Sequence, residues 1–373
     1  MTTTINNEHK ELNVPNLRFP EFKGEWEKCK LGELCNVLMC KRILASQTNT
    51  EEGVPFYKIG TIGNTPDAYI SQELFDEYKA KYNYPHKGEV MITCAGTVGK
   101  CVIYDGKDAY YQDSNIVWID NPSQYITNEF LYHLLYKVDW RKLNSTTIIR
   151  IYNDDLRNLK LNYPQIEEQQ KISRLLSLLD KRIAIQSKII GKLQSLIKGI
   201  AQKIVRSNKP NVRLTECMEC KSSTLQESEV CEQGTYPVYG ANGIVGYLDN
   251  YNTEGEAVYI IKDGSGVGTV SYVTGKCSAT GTLNTLQAKE GYSLQYLYYL
   301  LKVFNFEPYK TGMAIPHIYF KDYGKAKVFC PSYTEQLQYA RLLSAIDNKL
   351  SIEQNILTEL SLQKQCLLRQ MFI

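Results

Sequence analysis

Hydrophobic residues recur at alternating intervals of four and three positions along two long stretches of this chain. The first stretch carries the pattern at Ile172, Leu176, Leu179, Ile183, Gln186, Ile190, Leu193, Ile197, Ile200 and Ile204. The second carries it at Tyr339, Leu343, Ile346, Leu350, Glu353, Leu357, Leu360, Lys364, Leu367 and Met371. This period is typical of a coiled-coil seam. The sequence therefore predicts two helices of about 40 residues, each roughly 60 Å long at 1.5 Å per residue.

Both seams are polar at one equivalent position, since Gln186 and Glu353 each lie near the middle of their helix. Either helix alone could be an amphipathic core helix, but two helices that are each too long for one domain favour a mutual coiled coil. In an antiparallel pair with a two-fold relation between the halves of the chain, Gln186 and Glu353 would face each other. We expect a polar layer that fixes the register at some cost in stability, and a structure that separated the two residues would exclude it.

The helices belong to an internal repeat. PQIEEQQKISRLLSLLDKRI, which begins at Pro164, aligns with PSYTEQLQYARLLSAIDNKL, which begins at Pro331. The match continues backwards through an Ile-Tyr pair, at 151–152 and 318–319, and weakens further upstream. Internal repeats indicate that one structural unit occurs more than once. The chain is therefore predicted to contain a variable domain and a helix, followed by a second variable domain and a second helix.

Short β-type runs broken by Gly, Asn and Pro fill the stretch before each helix. Examples are EVMITCAGTVGKCVIYDG and EAVYIIKDGSGVGTVSYV, and each stretch closes with a helical segment, EFLYHLLYKV or LQYLYYLLKVF. The predicted fold class is α/β (α+β), with two mixed α/β domains in pseudo-two-fold tandem, separated by two long antiparallel coiled-coil helices. The predicted segments are a flexible leader at 1–17, domain 1 at 18–163, spacer helix 1 at 164–208, domain 2 at 209–330 and spacer helix 2 at 331–373.

Composition narrows the classes of function. The net charge is only +3, so nucleic-acid binding would depend on local patches. Only four histidines are present, and the close pair Cys217 and Cys220 would need a second pair to hold zinc, so we expect no metal site. The chain has neither an apolar run long enough to span a membrane nor a signal-peptide pattern. We therefore expect a cytoplasmic protein without membrane contact, whose eleven cysteines stay reduced.

Three short motifs could carry catalysis, and each fits a structural interpretation better. Gly264–Gly268 looks like a nucleotide- or S-adenosylmethionine-binding turn, but strand-like TVSYVTG follows where such a site needs a helix, so we predict a β-hairpin turn. CAGTVGKC spaces its glycines too closely for a phosphate loop. Asp67, Glu77 and Lys79 loosely match a nuclease cluster, but SQELFDEYKAK reads as a solvated helix. The sequence also lacks the (Asp/Asn)-Pro-Pro-aromatic tetrapeptide of adenine methyltransferases, so we expect a non-catalytic chain.

Two related domains on a rigid antiparallel spacer can each contact one of two equivalent surfaces of a partner molecule. Double-stranded DNA presents such surfaces one helical turn apart. The chain also contains the stretches LRFPEFKGEWEKCKLGEL, VPFYKIGTI and YPVYGANGIVGY, and a Pro-x-x-x-Glu-Gln motif heads each long helix, at Pro164–Gln169 and Pro331–Gln336. Through these stretches, and above all through the repeated motif, the chain resembles the specificity subunit of type I restriction–modification systems. The second domain is shorter and opens differently, which is consistent with recombined halves of unlike specificity.

The resemblance implies a specific assembly. Each domain would read one half of a bipartite, gapped, asymmetric site in double-stranded DNA. The helices would set the spacing and would dock two methyltransferase subunits and, in the full complex, two restriction subunits. Adenine N6-methylation, or ATP-driven translocation and cleavage, would then belong to these partners, which would bind S-adenosylmethionine, ATP and Mg. This chain would carry no cofactor and would only determine which DNA sequence the complex binds.

Lys, Arg, Asn, Ser and Thr in loops are the side chains that contact phosphates and base edges. The candidates are concentrated around the hairpin turns and the segments that precede each long helix. In domain 1 they are Lys41, Arg42, Lys58, Thr97, Lys100, Arg141, Lys142, Thr146, Thr147 and Arg150. In domain 2 they are Asn242, Lys262, Ser265, Lys276, Asn284, Lys310, Thr311 and His317.

Two other functions predict different behaviour. A coiled-coil scaffold that binds proteins and does not read DNA would show no salt-dependent affinity for DNA. An enzyme that uses the glycine-rich turn would bind S-adenosylmethionine as an isolated chain.

Overall fold

A computed structural model of the protein describes residues 12–142, 150–312 and 315–373. The described chain forms two compact units. Unit 1 contains the residues up to Ala184 together with Thr358–Ile373, and unit 2 contains Ile185–Leu357. Each unit therefore combines one variable domain with parts of both long helices.

Unit 1 is a mixed α/β domain whose central strands are buried on both faces. Val90 and Ile92 pack against the same core as Phe130, whereas Met91 between them packs into a second core with Phe75. This alternation follows from the period of two along a strand. The strands are β1 (Glu27–Lys30), β2 (Asn36–Leu38), β3 (Val54–Tyr57), β4 (Tyr69–Ile70), β5 (Val90–Thr93), β6 (Cys101–Ile103), β7 (Tyr110–Tyr111), β8 (Ile116–Asp120) and β9 (Lys160–Tyr163). The helices are α1 (Leu31–Leu34), α2 (Gln72–Lys81), α3 (Asn128–Lys137), α4 (Asn153–Arg157) and the long α5 (Ile166–Arg206), of which residues up to 184 belong to this unit.

The strands of unit 1 form an antiparallel four-stranded sheet in the order β2-β8-β5-β6, a three-stranded sheet β4-β3-β7 and the pair β1-β9. Helix α2 contains Glu77 and Lys79 of the loose nuclease match, which confirms the helical interpretation of SQELFDEYKAK, whereas Asp67 precedes the helix. Its start is capped by Ser71, whose side chain accepts from the backbone N–H of Leu74.

Unit 2 repeats this plan. Its strands are β10 (Val212–Arg213), β11 (Met218–Ser222), β12 (Tyr236–Gly240), β13 (Gly243–Leu248), β14 (Ala257–Ile261), β15 (Val270–Val273), β16 (Ser278–Ala279), β17 (Leu283–Ala288) and β18 (Lys327–Val328). Its short helices are α6 (Leu214–Cys217), α7 (Leu294–Leu301) and α8 (Phe320–Tyr323). The sheet orders β11-β17-β14-β15, β13-β12-β16 and β10-β18 match those of unit 1 strand for strand. The two units are therefore copies of one mixed α/β fold.

Both predicted long helices are present, as α5 and as α9 (Tyr333–Met371). Every seam residue named above is buried or partly buried, which confirms the seam. In unit 1, Asp180 of α5 contacts Lys364 of α9, and Ile172 shares a core with Met371. Because positions that rise along α5 meet positions that fall along α9, the two helices run antiparallel within this unit.

The first described residues differ from the flexible leader expected at 1–17. Asn13 is buried and its side-chain amide donates to the backbone carbonyl of Trp26 at 2.6 Å. The backbone N–H of Leu17 donates to the carbonyl of Gln370 at 2.8 Å. These bonds attach residues 12–17 to unit 1. They also give the buried amide of Asn13 the hydrogen-bond partner that a buried polar group needs. Residues 1–11 lie outside the described part of the chain.

Candidate nucleic-acid interface

A buried glutamine of the repeated motif connects each domain to its long helix. In unit 1 the amide of Gln169 donates to the carbonyls of Pro164 and Tyr125, both at 2.8 Å. Its Oε1 accepts from the backbone N–H of Thr127 at 2.8 Å. Thr127 is the N-cap of α3, so one side chain links the start of α5 to the start of the domain helix.

Unit 2 contains the same link. The Oε1 of Gln336 accepts from the backbone N–H of Ser293 at 2.9 Å, and its amide donates to the carbonyl of Pro331 at 2.9 Å. Ser293 is the N-cap of α7. The Gln of the Pro-x-x-x-Glu-Gln motif thus has one physical role in both repeats, which is to hold the domain in a fixed orientation on the helix that follows it.

The polar layer of the seam is present in unit 2. The amide of Gln186 donates to the backbone carbonyl of Glu353 at 3.0 Å and also contacts its carboxylate. Lys349 lies 2.5 Å from the same carboxylate. The hydrogen bonds from Lys349 and Gln186 keep the pKa of Glu353 below its ordinary value, so this acid is charged at neutral pH. The two residues meet as the antiparallel arrangement requires.

The glycine-rich stretches are hairpin turns, as predicted. Strands β14 and β15 pair antiparallel on either side of Gly264–Gly268, and β5 and β6 pair in the same way around the first copy. Gly264 and Gly268 have φ values of +94° and +90°, which only glycine adopts readily. A strand follows each turn, so neither turn leads into the helix that a phosphate site would require.

The segment before each long helix lies directly beside the hairpin turn of its own domain. In unit 1 the backbone N–H of Ile151 donates to the carbonyl of Cys94 at 2.9 Å. In unit 2 Ile318 donates to the carbonyl of Lys262 at 2.9 Å. The two bonds are equivalent, so Arg150 and His317, which precede these isoleucines, occupy the same position in the two domains.

In unit 2 this arrangement collects four candidates from distant parts of the sequence: Lys262, Ser265, Thr311 and His317. His317 pairs with Thr311 through two backbone hydrogen bonds of 2.9 and 2.7 Å. Its Nδ1 lies 2.5 Å from the carboxylate of Asp263, which is the residue after Lys262. Ser265 is exposed at the tip of the same turn. The result is a polar, partly exposed surface, here called hairpin surface 2 (Lys262–Gly268 with Thr311 and His317).

Unit 1 has the corresponding hairpin surface 1, formed by Cys94–Lys100 and Arg150. The guanidinium of Arg150 lies 3.4 Å from the hydroxyl of Ser114. The Nζ of Lys100 donates to the backbone carbonyl of Ile62 at 2.5 Å, which directs this cation back toward the domain. The candidate Thr97 belongs to the turn itself, and its backbone carbonyl accepts from the hydroxyl of Thr93. Candidates Thr146 and Thr147 lie outside the described residues.

Most of the other basic candidates are paired with acids. A phosphate would have to compete with these carboxylates, or the pairs would have to rearrange on binding. The pairs are Arg42 with Asp113 (3.1 Å), Lys58 with Asp67 (2.9 Å), Arg141 and Lys142 with Asp139 (3.9 and 3.8 Å), Lys276 with Glu254 (3.8 Å), and Lys310 with Glu307 (2.6 Å). Lys41 instead lies over the ring of Tyr82, 5.6 Å from its centroid.

Two candidates of domain 2 have contrasting positions. Asn284 is only 4% exposed, and its side-chain oxygen accepts from the hydroxyl of Ser222 at 2.8 Å. It joins β11 to β17 inside the domain, so it cannot reach DNA, and the sequence-based assignment of Asn284 as a contact is corrected. Asn242 is exposed in the turn between β12 and β13 and remains accessible.

Several residues in or beside the hairpin surfaces were not among the candidates. Tyr152 and Tyr319 are exposed at 61% and 48%, large values for aromatic side chains. Asp263 contacts His317 and orients its ring. The repeated Ile-Tyr pair was visible in the sequence, but the pattern alone does not tell whether a tyrosine is buried.

Within the described residues no group of three or more His, Cys, Asp or Glu side chains could hold a metal ion. In the same part of the chain no helix has the length and apolarity needed to cross a membrane. Burial raises the pKa of Cys220 to about 11, so this thiol is protonated at neutral pH.

The protein is thus a tandem of two copies of one α/β domain. Each copy has a hairpin surface and is fixed to a long helix by the same motif. The family model described as "Type I restriction modification DNA specificity domain" matches residues 23–195 and, a second time, residues 207–362. The chain belongs to this family and contains two copies of its domain.

Individual relatives agree with this assignment. A type I restriction enzyme specificity subunit described from Haemophilus influenzae is 51% identical over 152 residues, which cover 41% of this chain and 39% of that protein, less than half its length. The MjaX specificity subunit described from Methanocaldococcus jannaschii is 24% identical and is matched over 92% of both chains. The crystal structure of the type I restriction-modification S subunit from M. genitalium has a TM-score of 0.68 at 19% identity and covers 96% of this chain and 99% of that one. The likeness extends over the whole fold.

Proposed function

We propose that this chain gives a type I restriction–modification complex its DNA sequence specificity. Each domain reads one half of a bipartite, gapped site in double-stranded DNA through its hairpin surface. The observation that carries the proposal is that the two hairpin surfaces occupy equivalent positions and present different side chains. Cys94–Lys100 reads CAGTVGK, and Lys262–Gly268 reads KDGSGVG. Equivalent position with unequal chemistry is what an asymmetric site requires.

The long helices support docking of two methyltransferase subunits. Ile185 of α5 is 58% exposed although it lies next to the seam, and its equivalent on α9, Ile352, is 53% exposed. Each is followed four positions later by another isoleucine, Ile189 or Ile356. Apolar side chains one turn apart form a stripe on a helix that a partner can cover. Two equivalent stripes fit two copies of one partner.

The chemistry of the complex then belongs to the partners. The methyltransferase and restriction subunits bind S-adenosylmethionine, ATP and Mg, and the complex acts in the cytoplasm, where its DNA lies. This chain contributes recognition and no catalytic group. An isolated chain that bound S-adenosylmethionine would contradict this division.

Mapping of methyladenine by long-read sequencing tests the proposal. The host carries the cognate methyltransferase, with and without the gene for this chain, and co-purification checks that the complex assembles. We expect a gapped, two-part asymmetric motif that depends on the gene. If the complex assembles and no new motif arises, the chain is a protein-binding scaffold and the proposal of DNA readout fails.

A further inference from the structure

An exposed tyrosine with a cation against its ring stands beside each hairpin surface. In unit 1 the guanidinium of Arg150 lies 5.9 Å from the ring centroid of Tyr152. In unit 2 the Nζ of Lys321 lies 5.2 Å from the centroid of Tyr319. The ring of His317 also stacks on Tyr319, with a centroid distance of 6.5 Å and an interplanar angle of 18°. Such contacts place a positive charge against the face of an aromatic ring.

The two tyrosines are equivalent in the fold. Each follows the isoleucine that bonds to the hairpin turn, and each is the last residue before a short helix, α4 or α8. The domains therefore share this cation–tyrosine pair, whereas the sequences of their hairpin turns differ. The cations themselves come from different positions, because Arg150 precedes its tyrosine and Lys321 follows its own. What the two domains have in common is an aromatic ring with a positive charge next to the reading surface.

Two unlike half-sites of DNA share the sugar–phosphate backbone and differ in their bases. A feature found in both domains is therefore expected to contact the sugar–phosphate backbone, and a feature that differs between the domains is expected to contact the bases. We propose that Arg150 with Tyr152, and Lys321 with Tyr319, are backbone anchors: each cation binds a phosphate of its own half-site, and each ring packs against the adjoining sugar. The proposal rests on the proposed function and assigns the anchors no part in the choice of bases.

The neighbouring groups agree with this division of roles. Asp263 is engaged with His317, so its carboxylate is directed toward the imidazole. The imidazole and Lys321 flank Tyr319, which keeps the ring exposed in a fixed orientation. Asp263 therefore acts as a positioning residue for His317.

Salt dependence separates an anchor from a base reader. Each phosphate contact contributes about 0.9 to the slope of the logarithm of the binding constant against the logarithm of the salt concentration. Arg150→Gln and Lys321→Gln should each lower the magnitude of this slope by about 0.9. They should weaken binding to target and non-target duplexes by the same factor. Tyr152→Ala and Tyr319→Ala should weaken binding without changing the slope, because they remove no charge.

The experiment uses the full chain in its complex with the methyltransferase, on a duplex that carries the methylated motif and on a shuffled duplex. Arg157→Gln and Lys325→Gln are the matched controls: Arg157 is an exposed arginine of α4 that pairs with Asp154 at 3.0 Å, and Lys325 is an exposed lysine just after α8. The inference is overturned if the anchor variants behave like these controls, or if they change the ratio of target to shuffled affinity or the methylated motif. If the wild-type complex does not prefer the motif duplex, the proposed function itself fails.

Discussion

At the scale of single residues, the contacts of a buried glutamine explain why the Pro-x-x-x-Glu-Gln motif occurs in both halves of this chain. Gln169 and Gln336 are both almost fully buried, and each bonds to a backbone N–H that starts a domain helix. The first N–H groups of a helix have no partner inside the helix. A side chain from the long helix supplies that partner, so the domain and the helix are stabilised together.

Gln336→Ala should destabilise unit 2. The substitution leaves the buried N–H of Ser293 and the partly buried carbonyl of Pro331 without this partner, which costs about 1–3 kcal/mol. Urea unfolding measures the loss. Gln338→Ala removes an exposed amide from the same helix and should stay within about 0.5 kcal/mol of wild type. Equal stability of the two variants would show that the link contributes nothing.

His133 should make the stability of unit 1 depend on pH. Burial lowers the pKa of this imidazole to about 4, while nearby Asp180 raises it and Lys364 lowers it. Because the folded-state pKa lies below the ordinary value of about 6.5, the unfolded chain binds more protons between these values. Stability is therefore complete above pH 6.5 and declines as the pH falls toward 4, by up to about 3 kcal/mol.

Urea midpoints at pH 7 and pH 5 measure this effect. A backbone group of Ser173 influences the imidazole of His133, but no hydrogen bond of normal geometry reaches either ring nitrogen. His133→Phe therefore removes the titration without breaking a well-formed hydrogen bond. This variant should lose less stability between the two pH values than wild type does. A His133→Phe variant with the same pH dependence as wild type would assign the effect to other groups.

At the scale of elements, the seam that joins α5 and α9 contains polar contacts of different kinds. Gln186 meets Glu353 in unit 2, and Asp180 meets Lys364 at 2.5 Å in unit 1. Lys364 also lies 4.2 Å from the ring centroid of Tyr136 on α3. Its equivalent in α5 is Ile197, so the ion pair of Asp180 with Lys364 has no copy in the other half. Polar contacts in a seam restrict which helix can pair with which, and in what register.

Replacement of the polar layer should raise stability and weaken pairing specificity. The double variant Gln186→Leu with Glu353→Leu makes the seam apolar, and the exchange of buried polar or charged partners for apolar side chains is often stabilising. Helices of different chains can then pair as well, so we expect dimers and larger species in light scattering. Glu353→Leu alone should be less stable than wild type, because Gln186 loses its carboxylate acceptor and keeps only the backbone carbonyl of residue 353. A double variant that is monodisperse would exclude a role in pairing specificity.

The sequence predicted those elements whose signal is local. The seam follows from its period, the hairpin turns from the strand-like residues after each glycine-rich stretch, and α2 from its amphipathic composition. Contacts between distant residues gave no such signal: Arg42 pairs with Asp113, and nothing in the sequence joins them. Asn284 was misassigned because β17 is buried on both faces, so its residues do not alternate between polar and apolar. The exposure of Tyr152 and Tyr319 depends on tertiary packing and could not be predicted.

At the scale of the whole molecule, the duplication implies that the two half-sites can be changed independently. Each hairpin surface is built from residues of one unit only. A change in one surface leaves the contacts of the other intact, and distant sites act additively. Neither change alters the helices, which set the spacing in the proposed function.

The double variant Lys262→Met with Ser265→Ala should therefore alter one half of the methylated motif. Loss of a base contact costs about 1–3 kcal/mol and relaxes the position that it reads. In methyladenine maps of the complex we expect relaxed bases in one half, with the other half and the gap length unchanged. Thr97→Ala in hairpin surface 1 should relax the opposite half. If either variant changed both halves or the gap, the two domains would not read DNA separately, because a substitution confined to one unit would then alter contacts made by the other.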